Sequence, residues 1–127
     1  MSNKDHKMSA TRVWNRACFP SDQDRRNEHA LREGDHALRA MLLVDGYIQN
    51  GGVCHAFDLA EEDLKGGIAG YEYFGLHELA AMVRPHRGDD EASFNRRYYK
   101  AANDEHLILA KFEQFYREHP ERFAPID

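Results

Sequence analysis

The stretch Leu42-Leu43-Val44-Asp45-Gly46-Tyr47-Ile48-Gln49-Asn50-Gly51-Gly52-Val53-Cys54-His55-Ala56-Phe57 constrains this chain more than any other. Asparagine and glycine tolerate the left-handed backbone that closes many helices at the C-terminus. Asn50-Gly51-Gly52 therefore predicts a corner where one long helix stops and a second begins. Upstream, Leu31, Leu38, Met41, Leu42 and Ile48 recur at three-, four- and seven-residue intervals, which places them on one helical face. Asp45 falls on that face. A carboxylate there is paired, hydrogen-bonded, open to a cleft, or turned to solvent or a neighbouring helix end, because an unpartnered buried charge is strongly unfavourable.

The rest of the chain reads as helix packed around that corner. At 127 residues it fits one domain, with 42% hydrophobic and 31% charged residues, which excludes bulk disorder. No apolar run approaches the roughly 20 residues of a membrane span, so no membrane partner is expected. The N-terminus, Met1 to Met8, lacks an apolar core after its charges, which predicts a cytoplasmic protein without an export signal. Cys18 and Cys54 then read as free thiols. The net charge of −5 argues against direct nucleic-acid binding. Residues 1–44 hold eight Lys/Arg and six Asp/Glu, whereas residues 45–127 hold nine and sixteen, so the acidity belongs to the later part.

Residues 1–20 read as a partly ordered N-terminal extension. A polar, frayed start leads to a short helix or turn near Thr11–Phe19 that pins Trp14 and Phe19 on the core before Pro20. Ser21 reads as an N-cap with Asp24 three residues on, a weaker form of the capping box that normally uses Glu or Gln, and one helix is expected from about Asp22 to Gln49, weakest at Gly34. After the corner, a helix from Cys54 to Leu64 is expected to break at Gly66-Gly67, with another from Ile68 to Val83 stopped by Pro85. His86-Arg87-Gly88-Asp89-Asp90 reads as a loop. Phe94, Tyr98 and Ala101-Ala102 mark the next helix. Asn103 reads as the N-cap of a last one that runs from Asp104 to about His119, with Pro120 as its stop and Phe123 folded back. No stretch alternates with period two, so the expected fold is all-α: a single bundle of five or six helices over residues 21–127.

Catalytic signatures are scarce. His77-Glu78 lacks the second histidine of a zincin, and there is no phosphate loop, dinucleotide fingerprint or nucleophile elbow, so no cofactor is expected. His29, Glu33 and His36 share a side of the expected long helix, but no fourth ligand accompanies them; a polar stripe is the plainer reading, and no metal site is assigned. Asp45 and His55 could form a pair that orients an imidazole base, with Cys54 as a nucleophile of lowered pKa near a helix start. The plainer reading makes Cys54 a small core residue and His55 a hydrogen-bonded one. No residue is assigned as catalytic. The carboxylates of Asp58, Glu61, Glu62, Asp63, Asp89, Asp90, Glu91, Asp104 and Glu105 could form one anionic surface, broken by the intervening bases Lys65, Arg84, Arg87, Arg96, Arg97 and Lys100.

The motif Ile48-x-Asn50-Gly51-Gly52-x-x-x-x-Phe57 resembles the bacterial domain-of-unknown-function family typified by DNA mimic protein nineteen. The likeness extends to Gly75, Leu79-Ala80-Ala81, Phe94 to Tyr99, Asp104 with Leu107 onward, and His119-Pro120-x-x-Phe123, and covers roughly residues 22–124. The sequence departs from the family pattern at Tyr47, where an acidic residue is common, at Val53, where an aromatic is common, and at His55, where glutamine is common. The resemblance implies an all-α fold without established enzymatic activity. It also implies a charged surface that mimics DNA to occupy a basic protein partner such as a transcription factor. Two alternatives stand beside it: a small enzyme or ligand-binding protein using the corner cleft of Asp45, Tyr47, Asn50, Gly51, Gly52, His55 and Phe57, and a toxin-neutralising protein. A homodimer is a further open arrangement.

Overall fold

A computed structural model describes residues 3–84 and 91–126. Pro85 and the expected loop at 86–90, with Arg87, Asp89 and Asp90, lie outside the described residues. The described residues form helices and no strand: α1 (Asn3–Cys18), α2 (Asp22–Arg26), α3 (Glu33–Gly51), α4 (Val53–Ala56), α5 (Glu61–Tyr73), α6 (His77–Val83), α7 (Glu91–Asn103) and α8 (Leu107–Glu118). Short 3-10 turns at Glu28–Ala30, Asp104–His106 and Pro120–Arg122 join them. The all-α bundle expected from the sequence is thus present, with six of these helices seven residues or longer.

α3 is the axis. Leu38, Met41, Val44 and Ile48 recur along its inner face and are fully buried. α5 lies along that face, and the close fit depends on glycine. A Cβ at Gly67 would overlap Val44 Cγ2, and one at Gly70 would stand 2.6 Å from the Ala37 carbonyl oxygen. Gly66-Gly67 therefore does not break a helix as expected; both lie inside α5, where absent side chains let two backbones approach. The break comes later, at Gly75, whose φ of +78° turns the chain. Leu76 N–H donates to the Tyr71 carbonyl and Gly75 N–H to that of Glu72, the paired bonds of a Schellman end. The expected Ile68–Val83 helix is accordingly divided between α5 and α6, and the expected Cys54–Leu64 helix between α4 and α5.

The expected Asp22–Gln49 helix is likewise divided. Ser21 and Asp24 do form the capping box, but α2 ends after five residues and Arg32 is extended, with φ −110° and ψ 178°. Arg32 N–H is taken up by the Asp35 carboxylate at 3.0 Å, so α3 starts at a polar restart and not at a kink. Gly34 belongs to that first turn and packs under Phe123, whose ring carbons would stand 2.8 Å from a Cβ there.

The N-terminal residues also differ from expectation. Asn3–Cys18 forms a 16-residue helix that places Ala10 and Val13 in the core, with Trp14 against Phe112 at a 5.5 Å centroid separation. Phe19 does not join the core: it is 82% exposed. At the other end, Pro120 follows α8 and Phe123 is buried among Phe74, Phe112, Phe115 and Tyr116. α8 starts at Leu107 and not Asp104, because Glu105 and His106 both adopt left-handed backbone, and Asn103 supplies no side-chain cap.

Candidate functional site

The corner is built from α3, α4 and α7. α3 ends at Gly51, and Gly52, at φ +82°, donates its N–H to the Ile48 carbonyl. Gly52 is required twice over, since a Cβ there would also stand 2.6 Å from Asn95 Nδ2. Asn95 then accepts the Val53 N–H at 2.9 Å through Oδ1, which ties the start of α4 to α7. Phe57 lies half-buried against the core.

His55 closes the corner. Its ring stacks on Tyr47, with centroids 4.7 Å apart and planes 25° apart, and its Nδ1 lies 3.0 Å from the Tyr47 carbonyl oxygen. A carbonyl can only accept, so Nδ1 carries the proton. The same nitrogen would stand 2.6 Å from a Cβ at Gly51. The imidazole thus fills the space above the glycines, and Asn50 remains exposed.

Asp45 takes no part in that arrangement. Its Oδ1 accepts from Tyr98 Oη at 2.8 Å and from Gln49 Nε2 at 3.3 Å, and Tyr98 Oη lies 2.5 Å from Tyr71 Oη. Gln49 Nε2 also reaches Asn103 Oδ1 at 3.0 Å. This chain of polar groups links α3, α5 and α7, running from the buried tyrosine pair out to the exposed Gln49 and Asn103. Burial pushes the Asp45 carboxyl above its ordinary value, against the bonds from Tyr98 and Gln49, which lower it. Burial likewise raises both tyrosines, which stay neutral. Asp45 and His55 thus hydrogen-bond to different partners and do not form the pair that could have oriented an imidazole base, while His55 is hydrogen-bonded as in the plainer reading.

Cys54 is exposed, not a core residue. Its thiol donates to Glu91, and that bond, desolvation and the charges of Glu91 and Asp58 all push its pKa up. That is the reverse of the lowered value a nucleophile needs. His29 lies in a 3-10 turn outside α3, so the stripe with Glu33 and His36 is not continuous. Among the described residues no cluster of three or more His, Cys, Asp or Glu is placed to hold a metal.

The acidic residues fall into two groups. Asp58, the first turn of α5 with Glu61, Glu62 and Asp63, and Glu91 are all exposed, and Asp58 and Glu91 meet around Cys54. Asp104 and Glu105, also exposed, stand at the far end of α7, about 20 Å along the axis at 1.5 Å per residue.

Sequence reasoning passed over the one buried charged residue among those described, Asp35, at 3% exposure. It accepts from Arg16 Nη2 at 2.7 Å, Arg32 N–H at 3.0 Å and Ala124 N–H at 2.7 Å; Arg16 Nη2 also donates to the Ala124 carbonyl at 3.1 Å. The local signal was Asp35 three residues after Arg32, the spacing of a helix start, hidden by the assumption of one long helix. No helix among the described residues is long and apolar enough to cross a membrane. Comparison with known protein families, with curated proteins and with solved structures gives no match.

Proposed function

We propose that this chain is a non-catalytic protein-binding domain that offers the acidic end formed by Asp58, Glu61, Glu62, Asp63 and Glu91 to a basic surface on a partner protein. The observation that supports this reading is the tie between α4 and α7, where Asn95 accepts the Val53 N–H at 2.9 Å: it holds the segment that ends in Asp58 beside the helix that opens on Glu91, carboxylates 33 positions apart in the chain. The carboxylates in the first turn of α5 continue that end, where Lys65 pairs with Glu61 at 3.0 Å. One lysine against the five carboxylates named leaves this set of residues net negative.

A rigid anionic end steers a basic partner at long range, and its association rate falls as salt rises. The DNA-binding face of a transcription factor has that chemistry, as does a basic toxin, so DNA mimicry and toxin neutralisation are two versions of one mode. The filled corner speaks for binding over catalysis, because His55, Asp45 and Cys54 are each committed to a different neighbour.

The experiment is affinity capture from the native host at low and high salt, with wild type beside a Glu61→Lys, Glu62→Lys, Glu91→Lys variant. Basic proteins released by salt, or displaced by DNA, and lost with the variant are the expected result. Recovery of acidic partners, capture insensitive to salt, or equal capture by the variant would refute the reading.

A further inference from the structure

The tail that follows α8 is held as a bound peptide is held. It makes one 3-10 turn at Pro120–Arg122 and is extended at Phe123, with φ −122° and ψ 148°. The body grips its main chain. Asp35 accepts the Ala124 N–H at 2.7 Å, Arg16 donates to the Ala124 carbonyl at 3.1 Å, and Arg32 Nη1 donates to the carbonyls of Glu121 and Phe123 at 2.9 and 3.3 Å. Arg16 and Asp35 pair with each other and so present a donor and an acceptor to the same tail residue. Gly34 completes the grip. A Cβ there would stand 2.6 Å from the Arg122 carbonyl oxygen, so the absent side chain lets the tail backbone reach α3.

Two tail side chains are read as well. Phe123, 1% exposed, fills a socket of Phe74, Phe112, Phe115 and Tyr116. The Arg122 guanidinium lies 5.9 and 5.7 Å from the ring centroids of Tyr73 and Phe115, and 3.4 Å from Glu33. Main-chain bonds that hold any sequence, joined to pockets that select side chains, are how extended peptides are recognised. We propose that this clasp and socket form a peptide-recognition site for an extended segment of a partner protein, with a basic residue, a phenylalanine and a small residue in succession. The tail seated there, Arg122-Phe123-Ala124, defines that pattern and is the resident competitor. A tethered competitor acts at an effective concentration in the millimolar range, so a partner segment enters when the tail is out. The site shares no residue with the acidic end and does not rest on it.

Two measurements on the full chain test the proposal. Hydrogen exchange reads whether the tail leaves by itself: corrected for intrinsic rates, the Ala124 amide is expected to be about tenfold or more less protected than the Val44 amide of α3. Equal protection means that the tail departs only in global unfolding, and overturns the proposal. Rescue reads whether the site accepts a segment in trans. Phe123→Ala withdraws the ring, and a synthetic peptide with the sequence of residues 119–126, at millimolar concentration, raises the thermal midpoint of that variant, as binding to the folded state does. Phe123→Leu serves where the alanine variant does not fold. The same peptide with alanine for its phenylalanine, or glutamate for its arginine, raises the midpoint less. No rise, or equal rises with all three peptides, overturns the proposal. So does a dimer between variant and wild-type chain in sedimentation velocity, which would assign the site to a second copy.

Discussion

Arg16 of α1 bonds Asp35 of α3 at 2.7 Å, with the two side chains 13% and 4% exposed. Asp35→Ala leaves a largely buried guanidinium unpaired and also frees the N–H groups of Arg32 and Ala124. The expected loss is about 3–5 kcal/mol, the usual cost of breaking a buried pair from one side. Urea unfolding measures it, and a loss of only a few tenths would mean that solvent takes the place of the carboxylate.

Asp45 gives a pH dependence of definite sign. Its folded-state pKa is raised above the ordinary 3.8 by burial. A raised carboxyl adds stability that is fully present below the ordinary value and is lost as pH rises through the folded one. The groups bonded to it are Tyr98 and Gln49, with Tyr71 behind Tyr98, so no cation supplies an opposing term within that network. Relative to Asp45→Asn, the wild type gains stability as pH falls from neutrality toward 4, by denaturant unfolding at a series of pH values. A difference independent of pH would remove Asp45 as the source.

Gly67 and Gly46 predict opposite responses to one methyl group. Gly67→Ala forces Val44 and α5 apart and costs about 1–3 kcal/mol or more, as overpacking does. Gly46→Ala meets open space and gains up to about 1 kcal/mol in helix propensity. Thermal unfolding of both variants decides the matter, and equal shifts would contradict the packing of α3 on α5.

Cys54 is expected to be a slow thiol despite its exposure. With Cys18→Ser to remove the other thiol, alkylation near neutral pH proceeds more slowly than for a free cysteine, and Glu91→Gln speeds it. Rates measured against pH would show the apparent pKa fall in the variant; no change would sever Glu91 from the thiol.

Helical character was legible in the sequence because α3 and α8 each concentrate their apolar residues on one side, and because Ser21, Pro20 and Pro120 act through the local backbone. Gly66-Gly67 misled because glycine signals both a break and a close approach, and only the arrival of α3 decides between them. Gly75, between Phe74 and Leu76, carried the local pattern of a helix end that was passed over. The Asp35 clasp was hidden for a different reason: its bonds to Ala124 and Arg16 span 89 and 19 positions, and no window along the chain contains both. Asp45 and His55 looked paired through nearness in sequence, yet α3 carries Asp45 to α7 while His55 folds back on Tyr47.

Asp35 also sets a folding order. α3 and α5 can zip together from nearby segments, but a carboxylate that gathers residues 16, 32 and 124 is satisfied only when the remotest parts of the polypeptide have met. Until then the side chain is solvated beneath an incomplete core, so the clasp closes only once all three segments are in place.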